Sequence, residues 1–246
     1  MSVSESKGWW RPDVWPPALL IIAPFFINKL IYARWPSYQI FLVTDYTCHI
    51  LGLGLVYLLL RNTATPFPIP FRLAVPSTKE LSIALAGAAI LIAASVVGMT
   101  FFRHLDAHSW RLTRFPAPTN LALRFFDVTA GVVLAAISEE IVFRFYFMNL
   151  FLLRGASMRM TIILSTLIFA AIHWSYGAST TIFAAFAGLL FSIGFIGTGN
   201  LAVPIIAHAV FDAVFFAGGI DALWRIYNQA WIWVAPYAPR PARART

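Results

Sequence analysis

The sequence predicts an all-α, polytopic integral membrane protein with seven to eight transmembrane helices that enclose an interior polar cavity. The 246 residues are 60% hydrophobic and only 11% charged, whereas soluble domains carry about 25% charged residues. Apolar runs recur along the chain at the length of about 20 residues that a spanning helix needs. Charged groups inside some of these runs require a bundle interior or a wet cavity.

The apolar runs predict seven spans followed by a short aromatic segment. This last segment, residues 221–236, contains Trp224, Trp231 and Trp233. Its composition is typical of a helix that either crosses the membrane or lies in the interface. The seven predicted spans cover approximately residues 16–33, 38–60, 81–102, 125–153, 158–174, 180–196 and 201–218.

The connections between spans contain the helix breakers and most of the charge. The segment after the second span is rich in proline. Because proline does not continue a helix, we expect a loop there. Residues 103–124 form the longest polar connection, which predicts an amphipathic segment at the headgroup level. Its His104, Asp106 and His108 resemble a metal cluster by composition only. Three glycines are expected to break the sixth helix: Gly194, Gly197 and Gly199.

The charge of the chain indicates its partners, and its cysteine content limits its disulfides. The net charge of +8 comes from Lys and Arg in loops and tails, where these residues face lipid headgroups. A lipid bilayer is therefore the expected partner, and nucleic acid is not. Cys48 is the single cysteine, which excludes an intrachain disulfide. We expect one membrane domain over 1–246, with a motif-bearing core at about 120–220 and three N-terminal spans over 16–102.

Charge inside the fourth span is the most informative feature of the sequence. Glu139, Glu140 and Arg144 lie there between apolar residues, and each charge at a helix centre costs about 2.5–3.5 kcal/mol. Glu140 and Arg144 are four residues apart, so they share a helix face and can pair. Glu139 points elsewhere and has no partner on its own helix, which makes it a candidate general base.

Two further spans add histidines to this set. His173 ends the fifth span, and His208 and Asp212 are four apart in the seventh. Two histidines and a carboxylate can bind a metal such as zinc, or they can orient a water and stabilise an oxyanion. Taken singly, an ion pair or a buried histidine is often structural. Their coincidence on three spans favours one interior site.

A second polar pair lies in span two. Asp45 and His49 are four residues apart inside an apolar run, so they share one helix face. A pair that staples span two to its neighbours is favoured over a contribution to a proton path.

The three polar segments resemble the signature of the CAAX-protease and bacteriocin-processing family, which includes the Rce1-type prenyl proteases. The family pattern is Glu-Glu-x-x-x-Arg, then Phe-x-x-x-His, then His-x-x-x-Asn or Asp. Here it occurs in order on separate predicted spans, at 139–144, 169–173 and 208–212.

The resemblance implies a helical membrane fold with a conical interior cavity and an intramembrane endopeptidase that acts on a membrane-associated peptide or protein. By this resemblance, Glu139 is the general base that activates water, and His173 assists it. His208 and Asp212 are the pair that stabilises the oxyanion. Two residues support them: Glu140 and Arg144.

Asp212 departs from the many family members that have Asn at this position. An ionised Asp accepts hydrogen bonds and repels an oxyanion, so it must be protonated, bind a metal or orient His208 instead. A glutamic-type mechanism without a cofactor is favoured, because Glu139 and His173 suffice to activate water. A zinc-dependent mechanism is the alternative, with a ligand set of His173, His208, Glu139 and Asp212.

Two other functions compete with the endopeptidase. One is a non-catalytic immunity or scaffold protein of the same fold. An inactive member is expected to lose motif residues, and all of them are present here, which argues against this function. The other is a small transporter, which usually shows paired broken helices in its two halves.

The short loops favour a prokaryotic plasma membrane as the location.

Overall fold

The computed structural model describes residues 15–61, 67–107, 110, 112 and 120–234, and these ranges contain helices but no strand. The predicted all-α fold is therefore confirmed. The described helices are α1 (Trp15–Arg34), α2 (Tyr38–Leu60), α3 (Thr78–Ala107), α4 (Leu121–Leu153), α5 (Met158–Ala171), α6 (Ala178–Thr198), α7 (Ala202–Phe216) and α8 (Gly219–Val234).

Five of these helices, α1 to α4 and α6, are long and apolar enough to cross a membrane. Helices α7 and α8 meet at a bend of 70° and pass the same test together, which brings the count to six. Gly218 lies at the bend with φ +84°, a conformation that glycine adopts without strain. The described residues thus form a polytopic membrane protein, and the predicted count of seven or eight spans is not confirmed.

Helix α5 is the main reason for the difference in count. It has 14 residues, which corresponds to about 21 Å at 1.5 Å per residue. The hydrocarbon core is about 30 Å thick, so α5 is too short to cross it in a regular conformation.

Two predicted boundaries are wrong. Gly194 and Gly197 lie inside α6, and only Gly199, with φ +63°, ends it. The third helix does not stop at residue 102, because α3 continues to Ala107. Within the predicted headgroup-level segment, residues 108, 109, 111 and 113–119 and the side chains of His104 and Asp106 lie outside the described part of the chain.

Helix α4 contains two π-helical stretches, Asp127–Gly131 and Ile141–Phe147. Such stretches are rare inside α-helices, and those that do occur are often found at functional sites. The second begins immediately after Glu140. The Ser165 hydroxyl of α5 donates a 2.7 Å hydrogen bond to a carbonyl within it, that of Phe143, which fixes this stretch against α5.

Helix α4 is central to the helix packing. It contacts α2, α5 and α7, while α3 packs on α6 and α7, and α1 packs on α2. Large aromatic side chains fill the space around α4, so its polar motif lies deep inside the bundle. Those with the least exposure are Phe25, Phe143, Phe147, Phe169 and Phe195.

Two asparagines hold an extended segment, residues 67–77, across the helix ends. The Asn149 side chain accepts from the backbone N–H of Ile69 at 2.7 Å and donates to its carbonyl at 3.0 Å. Asn200 makes the same pair of bonds with Ala74, at 3.2 and 3.1 Å. These bonds satisfy backbone groups that have no secondary-structure partner and fix this segment to α4 and to the turn before α7.

Candidate active site

A cavity of about 1130 Å³ lies among the helices, and all eight described helices contribute to its wall. Its size is in the range of pockets that bind small ligands or short peptide segments. The structure therefore provides the interior polar cavity that the sequence predicts. Four predicted site residues from α4, α7 and the end of α5 line this one space: Glu139, His173, His208 and Asp212.

Glu140 lies behind the cavity wall between two cationic side chains. Its Oε1 accepts a 2.9 Å hydrogen bond from Nδ1 of His208, and its Oε2 is 3.1 Å from Nε of Arg144. The Arg144 contact lacks hydrogen-bond geometry, so charge rather than alignment stabilises this pair. The predicted Glu140–Arg144 pairing is confirmed, and the bond to His208 connects α4 to α7.

The Arg144 guanidinium is fully buried and is enclosed by aromatic rings. Its Cζ lies 4.2 Å from the ring centroid of Phe169 and 5.2 Å from that of Phe191, which is favourable for a cation. Nη2 also donates to the carbonyl of Gly188 at 3.3 Å. A Cβ atom at Gly188 would lie 3.0 Å from the Phe169 ring and 3.3 Å from Nη2, so the glycine permits this close approach.

His208 has a carboxylate at each ring nitrogen. Besides the bond from Nδ1 to Glu140, its Nε2 lies 3.4 Å from Oδ2 of Asp212 and 3.9 Å from Oε2 of Glu139. An ionised carboxylate only accepts hydrogen bonds, so this arrangement favours a ring protonated on both nitrogens. Phe191 stacks on the ring at 4.8 Å between centroids and fixes its plane. Of the alternatives for Asp212, the geometry favours the orientation of His208.

The charges of the cluster do not balance when every group is ionised. Glu139, Glu140 and Asp212 supply three carboxylates, and Arg144 and His208 supply two cations. Glu140 and Asp212 each have a cation within 3.4 Å, whereas Glu139 is 3.9 Å from its nearest one. Its Oε2 has no hydrogen-bond partner within the described part of the chain. The Glu139 side chain is 11% exposed and lines the cavity, so this incompletely paired carboxylate is partly open to that space.

His173 lies just beyond the last residue of α5. Its Nδ1 is 2.9 Å from the carbonyl oxygen of Phe169. A carbonyl only accepts, so Nδ1 carries the proton and Nε2 of the neutral ring retains its lone pair. The Phe169 ring also packs against the His173 ring, at 4.9 Å between centroids. The four-residue spacing in this motif therefore has a physical role, because Phe169 orients the histidine.

The arrangement offers little to a metal ion. Among the residues that the structure describes, no group of three or more His, Cys, Asp or Glu side chains is placed to hold one. Nε2 of His173 has a lone pair that could bind a metal, but both nitrogens of His208 face carboxylates. The predicted zinc ligand set does not fit a metal in this conformation, and metal dependence stays open to the chelation test below.

A second polar cluster lines the cavity from α1 and α2, and we call Asn28, Lys29, Asp45 and His49 the amino-terminal cluster. Asp45 accepts from Asn28 at 2.9 Å and lies 3.3 Å from Nε2 of His49. Nδ1 of His49 contacts the hydroxyl of Ser138, next to Glu139. The predicted Asp45–His49 staple is thus confirmed as a contact, and it reaches α4.

Sequence reasoning missed Asn28 and Lys29 as parts of this site. Both lie near the end of the first apolar run, where a charged residue is usual and no motif marks them. The only signal was a pair of polar residues seventeen and sixteen positions before Asp45, which indicates nothing until α1 packs on α2.

The fold and the site define a class: a polytopic helical membrane protein with a buried carboxylate–histidine centre in an interior cavity. Residues 121–214 match the family model described as type II CAAX prenyl endopeptidase Rce1-like. The match contains all three motifs and confirms the predicted relation of this segment to the CAAX-protease family, which is a family of proteases. No curated protein and no solved structure matches the chain.

Proposed function

We propose that this protein is an intramembrane endopeptidase that hydrolyses a peptide bond at or near the membrane, with water activated by Glu139 and His173. One observation carries the proposal: Glu139, a carboxylate without a close cation, lines the same cavity as His208 and as His173, whose Nε2 retains its lone pair. The match of residues 121–214 to a protease family supports it.

The reaction begins with a water molecule at the Glu139 carboxylate, whose side chain is 11% exposed where it lines the cavity. The carboxylate takes one proton from this water, and Nε2 of His173 accepts a hydrogen bond from the other. The water oxygen forms a bond to the carbonyl carbon of the substrate, and the carbonyl electron pair moves to its oxygen. General base catalysis of this kind contributes about 10²–10⁴-fold.

The oxyanion is stabilised by the His208 imidazolium, which lines the cavity and carries its Nε2 proton on the side of Asp212 and Glu139. A donor fixed before the reaction stabilises developing charge without reorganisation. Asp212 and Glu140 hold the imidazole in place, and Arg144 compensates the charge of Glu140. When the intermediate collapses, the C–N bond breaks and Glu139 returns its proton to the leaving amine, so atoms and charges balance.

The substrate in this proposal is a membrane-associated peptide or protein, and the location is a prokaryotic plasma membrane. The apolar helices around the cavity support this proposal, because five of them have the length and composition of membrane spans. A segment of a substrate that lies in the membrane can therefore reach the site without first entering water.

The test is cleavage of a membrane-peptide library by the purified protein in detergent, read by mass spectrometry. We expect Glu139→Gln to reduce cleavage by about 10²–10⁴-fold and His173→Ala to reduce it strongly. The matched control is Glu80→Gln, because Glu80 lies at the start of α3 outside the cavity lining and Gln serves equally in its capping box. Full activity of Glu139→Gln with a peptide that the wild type cleaves would refute the mechanism.

The same preparations decide between the glutamic-type and the metal-dependent mechanism. Cleavage that persists after a strong chelator, with no stoichiometric bound metal, supports water activation by Glu139 and His173 alone. Loss of cleavage on chelation and recovery with zinc would favour the zinc mechanism. Substrate-dependent flux in liposomes without any cleavage would favour the transporter.

A further inference from the structure

Lys29 projects an ammonium group into the wall of the same cavity from α1. Its side chain is only 13% exposed. A buried ammonium is costly unless its charge is compensated and its three N–H groups find acceptors. The contacts of Lys29 therefore indicate whether its role is structural or whether it is built to bind a ligand.

The protein does not use all three donors of Lys29. Among the described residues it donates one hydrogen bond, to the hydroxyl of Tyr176 at 3.3 Å. Oδ1 of Asp45 is 3.8 Å from Nζ, which is beyond hydrogen-bond distance. The same oxygen already accepts from Asn28, and the other faces His49. The ammonium thus retains N–H groups on a wall that faces open space.

This ammonium belongs to the same electrostatic environment as the proposed reacting groups. Lys29, Glu139 and His173 line the same cavity. A cation with unused donors, in the same cavity as a water-activating carboxylate, is suited to bind an anionic group of the molecule that is cleaved. Charge-assisted hydrogen bonds of this type are about twice as strong as neutral ones.

We propose that Lys29 binds a carboxylate of the peptide substrate and thereby sets which bond reaches Glu139. The inference rests on the proposed endopeptidase function and deepens it. A carboxylate is the anion that peptides supply, either at their carboxyl terminus or on Asp and Glu side chains. The neighbouring Asp45 compensates part of the charge of Lys29 at 3.8 Å but accepts no hydrogen bond from it, and it already contacts Asn28 and His49.

The experiment compares peptides that differ only in this charge. A library of apolar hexapeptides is made with free and with amidated carboxyl termini, and a second pair exchanges one internal Glu for Gln. We expect the wild type to prefer one charged form by about tenfold in kcat/KM, as a hydrogen bond to a charged group supports. The arm in which the preference appears identifies the source of the carboxylate.

Three variants show whether Lys29 causes the preference. Lys29→Met should lower kcat/KM for the charged peptide to that of its neutral counterpart, and Lys29→Arg should keep the preference. Lys79→Met is the matched control, because Lys79 is an exposed lysine of α3 that does not line the cavity. A wild type without any preference, or equal losses on both peptides in Lys29→Met, would overturn the proposal in favour of a purely structural lysine.

Binding to the Glu139→Gln protein keeps this test separate from the test of the mechanism. Fluorescence anisotropy with labelled free and amidated hexapeptides, and with the Glu and Gln pair, should show the same preference in this variant. The preference should disappear in the double variant Lys29→Met/Glu139→Gln. If the charged peptides bind better but no variant or wild type cleaves them, the carboxylate site stands and the endopeptidase function fails. If cleavage depends on Glu139 but charged and neutral peptides bind equally well, the endopeptidase function stands and the carboxylate site fails.

Discussion

The cavity has two polar walls of opposite character. The motif cluster, on α4 and α7, consists of Glu139, Glu140, Arg144, His208 and Asp212 and has three carboxylates for two cations. The amino-terminal cluster, on α1 and α2, has one carboxylate, Asp45, already supplied with donors by its neighbours. The first wall therefore has an excess of acceptors, and the second has an excess of donors at Lys29.

This difference indicates that the two walls of the cavity have different chemical roles. An excess carboxylate favours the activation of water, whereas an ammonium with unused N–H donors favours the binding of an anion. The walls are joined where His49 of α2 contacts the hydroxyl of Ser138, the residue before Glu139. Three substitutions measure how independent the two walls are.

The largest expected effect concerns the buried charge of the motif cluster. Glu140→Gln removes the carboxylate that faces both Arg144 and His208. Because the guanidinium stays fully buried without its counter-ion, we expect the free energy of unfolding to fall by about 3–5 kcal/mol. Reversible unfolding in mixed detergent, followed by circular dichroism, measures the change.

Two comparisons sharpen this prediction. The double variant Glu140→Gln/Arg144→Met should recover part of the lost stability, because no buried charge is left uncompensated. In the amino-terminal cluster, Asp45→Asn should cost less, because this side chain is 14% exposed and Asn can still accept from Asn28. Equal losses at Glu140 and Asp45 would show that the two walls are structurally equivalent.

The sequence predicted the contacts within each helix far better than those between helices. The pairs Glu140–Arg144, His208–Asp212 and Asp45–His49 follow from four-residue spacing, and all three occur. The bond from His208 to Glu140 depends on how α7 is rotated against α4, which spacing within one helix does not specify.

The number of spans shows the same limit. Hydrophobicity locates the apolar helices, and the described boundaries agree closely with prediction for α1 and α2. The short length of α5 and the 70° bend after α7 depend on local backbone geometry at His173 and Gly218. A hydropathy pattern does not distinguish a short apolar helix from a spanning one at this length.

A smaller effect is expected from a methyl group in the aromatic enclosure of Arg144. Gly188→Ala places a Cβ 3.0 Å from the Phe169 ring, so Phe169 must move, and overpacking of this kind costs about 1–3 kcal/mol. Because Phe169 orients His173, we also expect kcat to fall. Thermal unfolding and cleavage are measured on the same preparations.

Gly197→Ala is the matched control for Gly188→Ala. Both glycines lie in α6, but a Cβ at Gly197 meets nothing within 4 Å. Its unfolding temperature should stay unchanged or rise slightly, since alanine favours a helix by about 1 kcal/mol over glycine. If both alanines behave alike, the close packing around Arg144 does not limit the site.

The smallest effect is expected at the link between the two walls. His49→Phe keeps a ring beside Phe25, which His49 meets edge-on at 5.6 Å, and removes the contacts with Ser138 and Asp45. Ser138 retains its bond to the carbonyl of Ala135, so we expect a loss of about 0.5–1.5 kcal/mol in unfolding free energy.

Cleavage by His49→Phe decides what this link does. On the same helix, Thr44→Val is the control, because among the described residues the Thr44 hydroxyl donates only to the carbonyls of Ile40 and Phe41 in its own helix. If His49 only joins the helices, its kcat should change little, since the charges of both walls remain. A loss as large as that of Glu139→Gln would mean that His49 takes part in proton movement through Ser138, and that the walls share the chemistry rather than divide it.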